Sequence, residues 1–215
     1  MRKKNMAFDD IHCIMFDLDD TLYAYHNGLW EMIGMRINQY MIDELHFPAE
    51  EVPTLRNRLW EQYGTTLRGL QVEFSVDMDA YLSYVHDVPI ETILKPDPEL
   101  NRLLHDLPQR KVIFTNADKA HAQRTLNSLC IAHHFITIID IHAMAPFCKP
   151  QVEAFHKALG VLDEHPEYCL LVDDNPKNLA TAQALGMATV SVGAHPHDGS
   201  PHIARIHELG ELFRC

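Results

Sequence analysis

The chain has 215 residues, 47% of them hydrophobic, and 30 acidic against 18 basic side chains for a formal charge of -12. That size and apolar content allow one sizeable core plus a smaller unit. No basic run stands out beyond Arg2-Lys3-Lys4, so extended nucleic-acid binding is not expected, while small anionic substrates remain compatible with a site governed by a local cation.

The first predicted element is the apolar run 11–15, a buried strand that leads into Phe16-Asp17-Leu18-Asp19-Asp20-Thr21. In extended chain, side chains two apart point the same way, so Asp17 and Asp19 can address one substrate atom and one hard cation. One can attack while the other manages protons. Asp-x-Asp also occurs in solvated turns, so the pattern takes its weight from its context. Asp20 is expected to shape the turn through local backbone bonds.

Residues 23–94 are too many for a simple connection and read as an inserted unit. Leu29, Ile33, Ile37, Tyr40 and Met41 recur at helical spacing. So do Val52, Leu55, Leu59 and Tyr63 up to Gly64, and a third stripe of Phe74, Met78, Tyr81, Leu82 and Val85. These stripes predict a helical bundle core. Placed just after the first motif, such a bundle would sit over the strand ends as a cap that excludes water and selects the leaving group. Polar residues at its turns then carry substrate information, and Tyr63-Gly64-Thr65-Thr66-Leu67-Arg68-Gly69-Leu70 is the candidate stretch. The competing reading is a glycine helix cap, threonine caps and an arginine paired with a surface acid.

Beyond the insertion, the β-branched run Lys111-Val112-Ile113-Phe114 stops at Thr115-Asn116 and a helix is predicted over 120–129. Cys148-Lys149-Pro150 precedes the helical pattern Val152, Phe155, Leu159, with Pro150 expected in the first helical turn. Tyr168-Cys169-Leu170-Leu171-Val172 is another buried-strand run; it stops at Asp173-Asp174-Asn175-Pro176, before the pattern Leu179, Ala182, Leu185 ends at Gly186. Asn178, one helical turn after Asp174, is placed to brace the acidic pair or Lys149. Strands alternating with helices predict an α/β fold, a Rossmann-like parallel sheet with helices on both faces. Such sheets bind ligands at the carboxyl ends of their strands, where Asp17, Thr115 and Asp173/Asp174 all fall.

These four segments, in this order, resemble the haloacid dehalogenase-like superfamily of aspartate-nucleophile phosphohydrolases. The resemblance implies a core domain over 1–22 and 95–215 and a helical cap domain over 23–94. It implies Asp17 as nucleophile, Asp19 as general acid and base, and Thr115, Asn116 and Lys149 as phosphate holders. Mg2+ would be held by Asp17, the backbone carbonyl of Asp19 and Asp174, with Asp173 orienting a bound water. Leu22-Tyr23, the stretch 63–70 and Thr115-Asn116-Ala117-Asp118 are also similar to the pyrimidine 5'-nucleotidase branch, which implies nucleoside monophosphates such as UMP or CMP as substrates with Thr65, Thr66 and Arg68 nearest the nucleoside. Other chemistries on this pattern are a phosphatase for phosphoglycolate or a sugar phosphate, a phosphomutase, or a receiver-like phospho-aspartate switch. Dehalogenases of the superfamily would not need the second carboxylate beside an acidic pair, and its ATPases place a Thr at the Asp19 position. Cys130 stands where a glycine is common, outside the motifs.

Five cysteines without Cys-x-x-Cys spacing point to a reducing cytoplasm. Asp9 and Asp10 interrupt the basic start and the apolar run after them is short, so a secretory leader is not expected, nor is a membrane span. Of the 15 histidines, His195, His197, His202 and His207 cluster near the end among Pro196, Gly199 and Pro201, which reads as a polar loop rather than a zinc site.

Overall fold

A computed structural model of the chain describes residues 10–23, 27–194 and 196–213. Arg2 to Lys4, Asp9, His195 and Cys215 lie outside them. The fold is α/β. Among the described residues six parallel strands run β1 Cys13–Phe16, β2 Arg110–Phe114, β3 Thr137–Ile139, β4 Cys169–Asp173, β5 Ala188–Val192 and β6 His202–Ile203, in the order β3-β2-β1-β4-β5-β6. The order reverses direction at β1, the point where such sheets open a ligand crevice at their carboxyl ends.

Between β1 and β2 lie α1 Leu29–Asp43, α2 Val52–Tyr63, α3 Thr66–Phe74, α4 Met78–Val85, the short α5 Ile90–Ile93 and α6 Pro98–Asp106. The remaining α-helices among the described residues are α7 Lys119–Ser128, α8 Ile141–Met144, α9 Val152–Leu162 and α10 Pro176–Ala184. Period-two alternation along β1 sorts the core. Ile14 and Phe16 face one side, in a cluster continuous with Leu29, Leu59 and Leu82 of the inserted helices. Cys13 and Met15 face the other, against Phe155 and Leu159 of α9.

Two expectations shift. The stripe from Phe74 to Val85 is two helices, because Ser75 takes φ 57 after α3 and the Asp77 carboxylate caps α4 by accepting from Ala80 N. Pro150 stands before the Gln151 N-cap of α9 rather than in its first turn. A tight turn intervenes, in which Gln151 N donates to Cys148 O and its side chain accepts from Cys148 N.

Gly64 seats the insertion against the 148–150 turn. Its φ of 89 lies in the left-handed region, and a Cβ there would fall 2.7 Å from Pro150 Cδ and 2.9 Å from Lys149 O. A side chain at this position would therefore push the 148–150 turn away. At the other end of the insertion, Arg124 of α7 donates to the carbonyls of His86 and Val88 and pairs with Glu91.

Candidate active site

Asp17 follows β1 directly, and its N–H donates to Val172 O of β4. Register therefore sets it beside Asp173, the last residue of β4. Lys149 is drawn to both: its Nζ donates to Asp17 Oδ1 at 2.8 Å and to Asp173 Oδ2 at 2.9 Å, with the lysine 1% and Asp173 0% exposed. The lysine backbone is fixed by Asn116, whose side chain accepts from Lys149 N at 2.9 Å and donates to Lys149 O at 3.0 Å. The Asn116 amide is thus committed to Lys149, and the residue also lines the cavity. Thr115, one residue beyond β2, is 1% exposed and accepts from Ala117 N.

Asp173 is saturated with donors. Asn178 Nδ2 reaches both its oxygens at 3.0 Å and Asn175 N donates at 2.8 Å, so Asn178 braces the acidic pair. Asp174 instead lines the cavity, as do Asp17, Asp19 and Asp20.

Burial, reinforced by Asp173 and Asp174, holds the Asp17 carboxyl well above its ordinary range against the pull of Lys149. The Asp174 carboxyl is pushed up to about 7 by burial and by Asp173. Asp20 also rises to about 7, mainly by burial; it sits at φ 60, and its Oδ1 is buried without a hydrogen-bond partner among the described residues. Burial works against the charge on Lys149, but Asp17 and Asp173 overcome it and raise its pKa.

Asp19 is treated differently. Burial alone would raise its carboxyl, yet His121, Tyr23 and His86 together hold it below the usual range. Tyr23 Oη donates to Asp19 Oδ1, and His121 Nε2 lies 3.1 Å from the same oxygen. His121 is 1% exposed, its ring stacks on His86 at 4.2 Å, and among the described residues its Nδ1 has no partner. The ring proton therefore belongs on Nε2, where it donates to Asp19. His86 in turn meets Asp118 Oδ2 at 2.6 Å, and Asp118 caps α7 through His121 N at 2.8 Å. This bracing was not visible in the sequence: His121 is one of 15 histidines, and its only local signal is its place in the first turn after Thr115.

Above these groups lies a cavity of about 500 Å³, closed on its other side by residues of α1, α2 and α4 and by the 64–67 segment. Thr65 and Thr66 line it; Arg68 does not. The 63–70 stretch is less loop than expected, because Thr65 is the N-cap of α3, accepting from Arg68 N at 3.0 Å, and residues from Thr66 onward are helical. Arg68 makes no ion pair among the described residues. Arg56, Asn38, Trp30, Trp60 and Tyr81, none of them singled out by sequence as site residues, line the cavity instead. Of the late histidines, His202 meets Ser191 and His207 meets Asp97.

One oxygen each from Asp17, Asp173 and Asp174 lies within 4.8 Å of the others. The set is all carboxylate, the choice of a hard cation, and burial with mutual repulsion leaves it short of positive charge even with Lys149 present. The residues fit a magnesium-type ion.

Three comparisons bear on this geometry. The model of a hydrolase family, the haloacid dehalogenase-like hydrolases, matches residues 11–186. Phosphate metabolism protein 8 of Saccharomyces cerevisiae is 29% identical over 191 residues, covering 81% of this chain and 59% of that protein. Beta-phosphoglucomutase of Bacillus subtilis is 27% identical over 128 residues, covering 54% and 56%. The chain thus matches less than two thirds of the length of either relative. In fold, it resembles the haloacid dehalogenase-like family protein SP0104 of Streptococcus pneumoniae, with a TM-score of 0.65 at 22% identity over 96% of this chain and 100% of the other.

Proposed function

The chain belongs to the haloacid dehalogenase-like hydrolase family, and from that premise we propose that it is a magnesium-dependent phosphomonoesterase working through an aspartyl-phosphate on Asp17, with pyrimidine nucleoside 5'-monophosphates such as UMP and CMP as substrates. The broader class is a phosphoric monoester hydrolase. The observation that supports it most is the pair of roles held apart by environment: Asp17 bridged by Lys149, and Asp19 two residues on, braced by Tyr23 and His121.

In this reading Asp17, Asp174 and the main-chain carbonyl of Asp19 hold Mg2+, with Asp173 behind them. Bound there, the ion supplies the positive charge that lets a phosphate dianion approach a carboxylate. Lys149, Thr115 and the main chain at Asn116 hold the phosphate oxygens. Asp17 attacks phosphorus in line, forming an acyl-phosphate bond as the ester P–O bond breaks, and Asp19, which rests ionised and takes up a proton from solvent as the dianion binds beside it, passes that proton to the departing alkoxide. Asp19 then takes a proton from water, which attacks the same phosphorus and releases phosphate and free Asp17. Residues 23–94 act as a cap domain over a core formed by 1–22 and 95–215. The cavity volume suits a nucleotide-sized ligand, with Thr65 and Thr66 at its wall and Arg68 behind them.

A phosphatase for phosphoglycolate or a sugar phosphate, or a phosphomutase, would use the same core. Asp19 counts against a stable phospho-aspartate switch, because it supplies the base that clears the intermediate. The test is phosphate release from UMP, CMP, AMP, GMP, phosphoglycolate and glucose 6-phosphate, with and without magnesium. Magnesium-dependent release favouring UMP and CMP is expected; a preference for a non-nucleotide would discard the pyrimidine reading and keep the chemistry.

A further inference from the structure

Among the described residues lining the cavity, Lys149 and Arg56 are the lysines and arginines. Lys149 sits at the phosphate end, bridging Asp17 and Asp173. Arg56 comes from α2 on the helical side, away from the strand ends, and its Nη1 donates to Gly34 O at 2.9 Å and to Asn38 Oδ1 at 3.1 Å, both on α1. Neither is a carboxylate, and among the described residues no acid pairs with Arg56. Burial works against its charge, so a half-buried guanidinium is kept beside the cavity, and among the described residues its Nε and Nη2 hydrogens are uncommitted.

The helix opposite is shaped for it. Gly34 lies in the interior of α1, where glycine costs about 1 kcal/mol relative to alanine. A Cβ at Gly34 would touch the Arg56 guanidinium at 3.4 Å, and any larger side chain would occupy its place. Trp30, Trp60 and Tyr81 line the same cavity, which suits a flat group beside the guanidinium.

We infer that Arg56 reads the leaving group, donating through its free edge to an sp2 oxygen, either a ring carbonyl of a pyrimidine or a carboxylate, at the end remote from phosphorus. This deepens the proposed function and rests on it for the chemistry at phosphorus. A planar guanidinium with two open donor nitrogens pairs better with such in-plane acceptors than with the hydroxyls of a sugar.

The experiment compares wild type, Arg56→Ala, Arg56→Lys and Gly34→Leu on UMP, CMP, phosphoglycolate, glucose 6-phosphate and phenyl phosphate, whose leaving group carries no acceptor beyond the ester oxygen. For Arg56→Ala, the expected result is a loss of about 10- to 150-fold in kcat/KM, mostly through KM, on the acceptor-bearing ester the wild type prefers, with phenyl phosphate kept within about twofold. Gly34→Leu, with Arg56 intact, shows the same selective loss, and the retained phenyl phosphate activity certifies folding in both. Loss on UMP and CMP identifies the ring carbonyl as the ligand; loss on phosphoglycolate, partly restored by Arg56→Lys, identifies a carboxylate and overturns the pyrimidine reading while Arg56 keeps its role. An equal loss on phenyl phosphate, no loss on any ester, or a wild-type preference for glucose 6-phosphate would overturn the assignment to Arg56.

Discussion

Replacing Lys149 by methionine isolates what the buried cation does. Methionine fills much of the same space without charge, leaving Asp17 and Asp173 facing each other where Nζ stood 2.8 and 2.9 Å from them. Removing one partner of a buried charge cluster costs about 3–5 kcal/mol. For 215 residues, an unfolding entropy of about 0.45 kcal/mol/K turns this into a fall in Tm of about 7–11 °C.

The pH dependence separates charge from packing. Without the cation, the Asp17 carboxyl, already held above its ordinary range in the folded state, is pushed higher still. Stability from such groups is full below the unfolded pKa and lost as pH rises through the folded one. The deficit of Lys149→Met should therefore be largest near about pH 8 and shrink as pH falls toward about pH 5 and Asp17 takes up a proton. Thermal unfolding of both proteins at the two pH values measures it. A deficit of equal size at both would mean the loss is one of packing, and no deficit at the higher pH would refute the compensating role of Lys149.

Two further outcomes follow from the same geometry. His121→Ala removes a donor to Asp19 at 3.1 Å, so steady-state assays should find kcat lowered by about 10- to 150-fold, since a hydrogen bond to a charged group is worth about 1.5–3 kcal/mol; unchanged kcat would show that Tyr23 suffices. The Asp174 carboxyl, raised to about 7 by burial and Asp173, contributes stability that fades as pH climbs toward that value. Because a bound cation competes with those protons, the gain in Tm on adding magnesium should grow from about pH 5 to about pH 8, and equal gains at both would contradict cation binding at the cluster.

Much of the core was legible because its signals are local. Buried runs ending in Asp17, Thr115 and Asp173 announce strands with functional ends, and parallel pairing then brings those ends together without further information. Strands β3 and β6, three and two residues long, carry too little pattern to be read alone. The break between α3 and α4 was missed because apolar spacing continues across Ser75 and Asp77, although Asp77 is itself a cap signal. The cavity wall was harder. Thr65 reads equally as a helix cap or a ligand contact and is in fact a cap that also lines the cavity, whereas Arg56 looks like any exposed arginine on an amphipathic helix until α1 is packed against it. His121 meets Asp19 across 102 positions of sequence, a pairing that only the closed sheet creates.

The central claim, covalent phosphoryl transfer to Asp17 followed by hydrolysis assisted by Asp19, is tested most directly with Asp19→Asn and 4-nitrophenyl phosphate in the presence of magnesium. This leaving group departs without a proton, so the first step should survive while the second stalls. A rapid burst of nitrophenolate near one equivalent per chain, with the phosphoryl group located on Asp17 by peptide mass after acid quench, is the predicted result. A variant that turns over as fast as wild type, or a phosphoryl group found on a residue other than Asp17, would contradict the account.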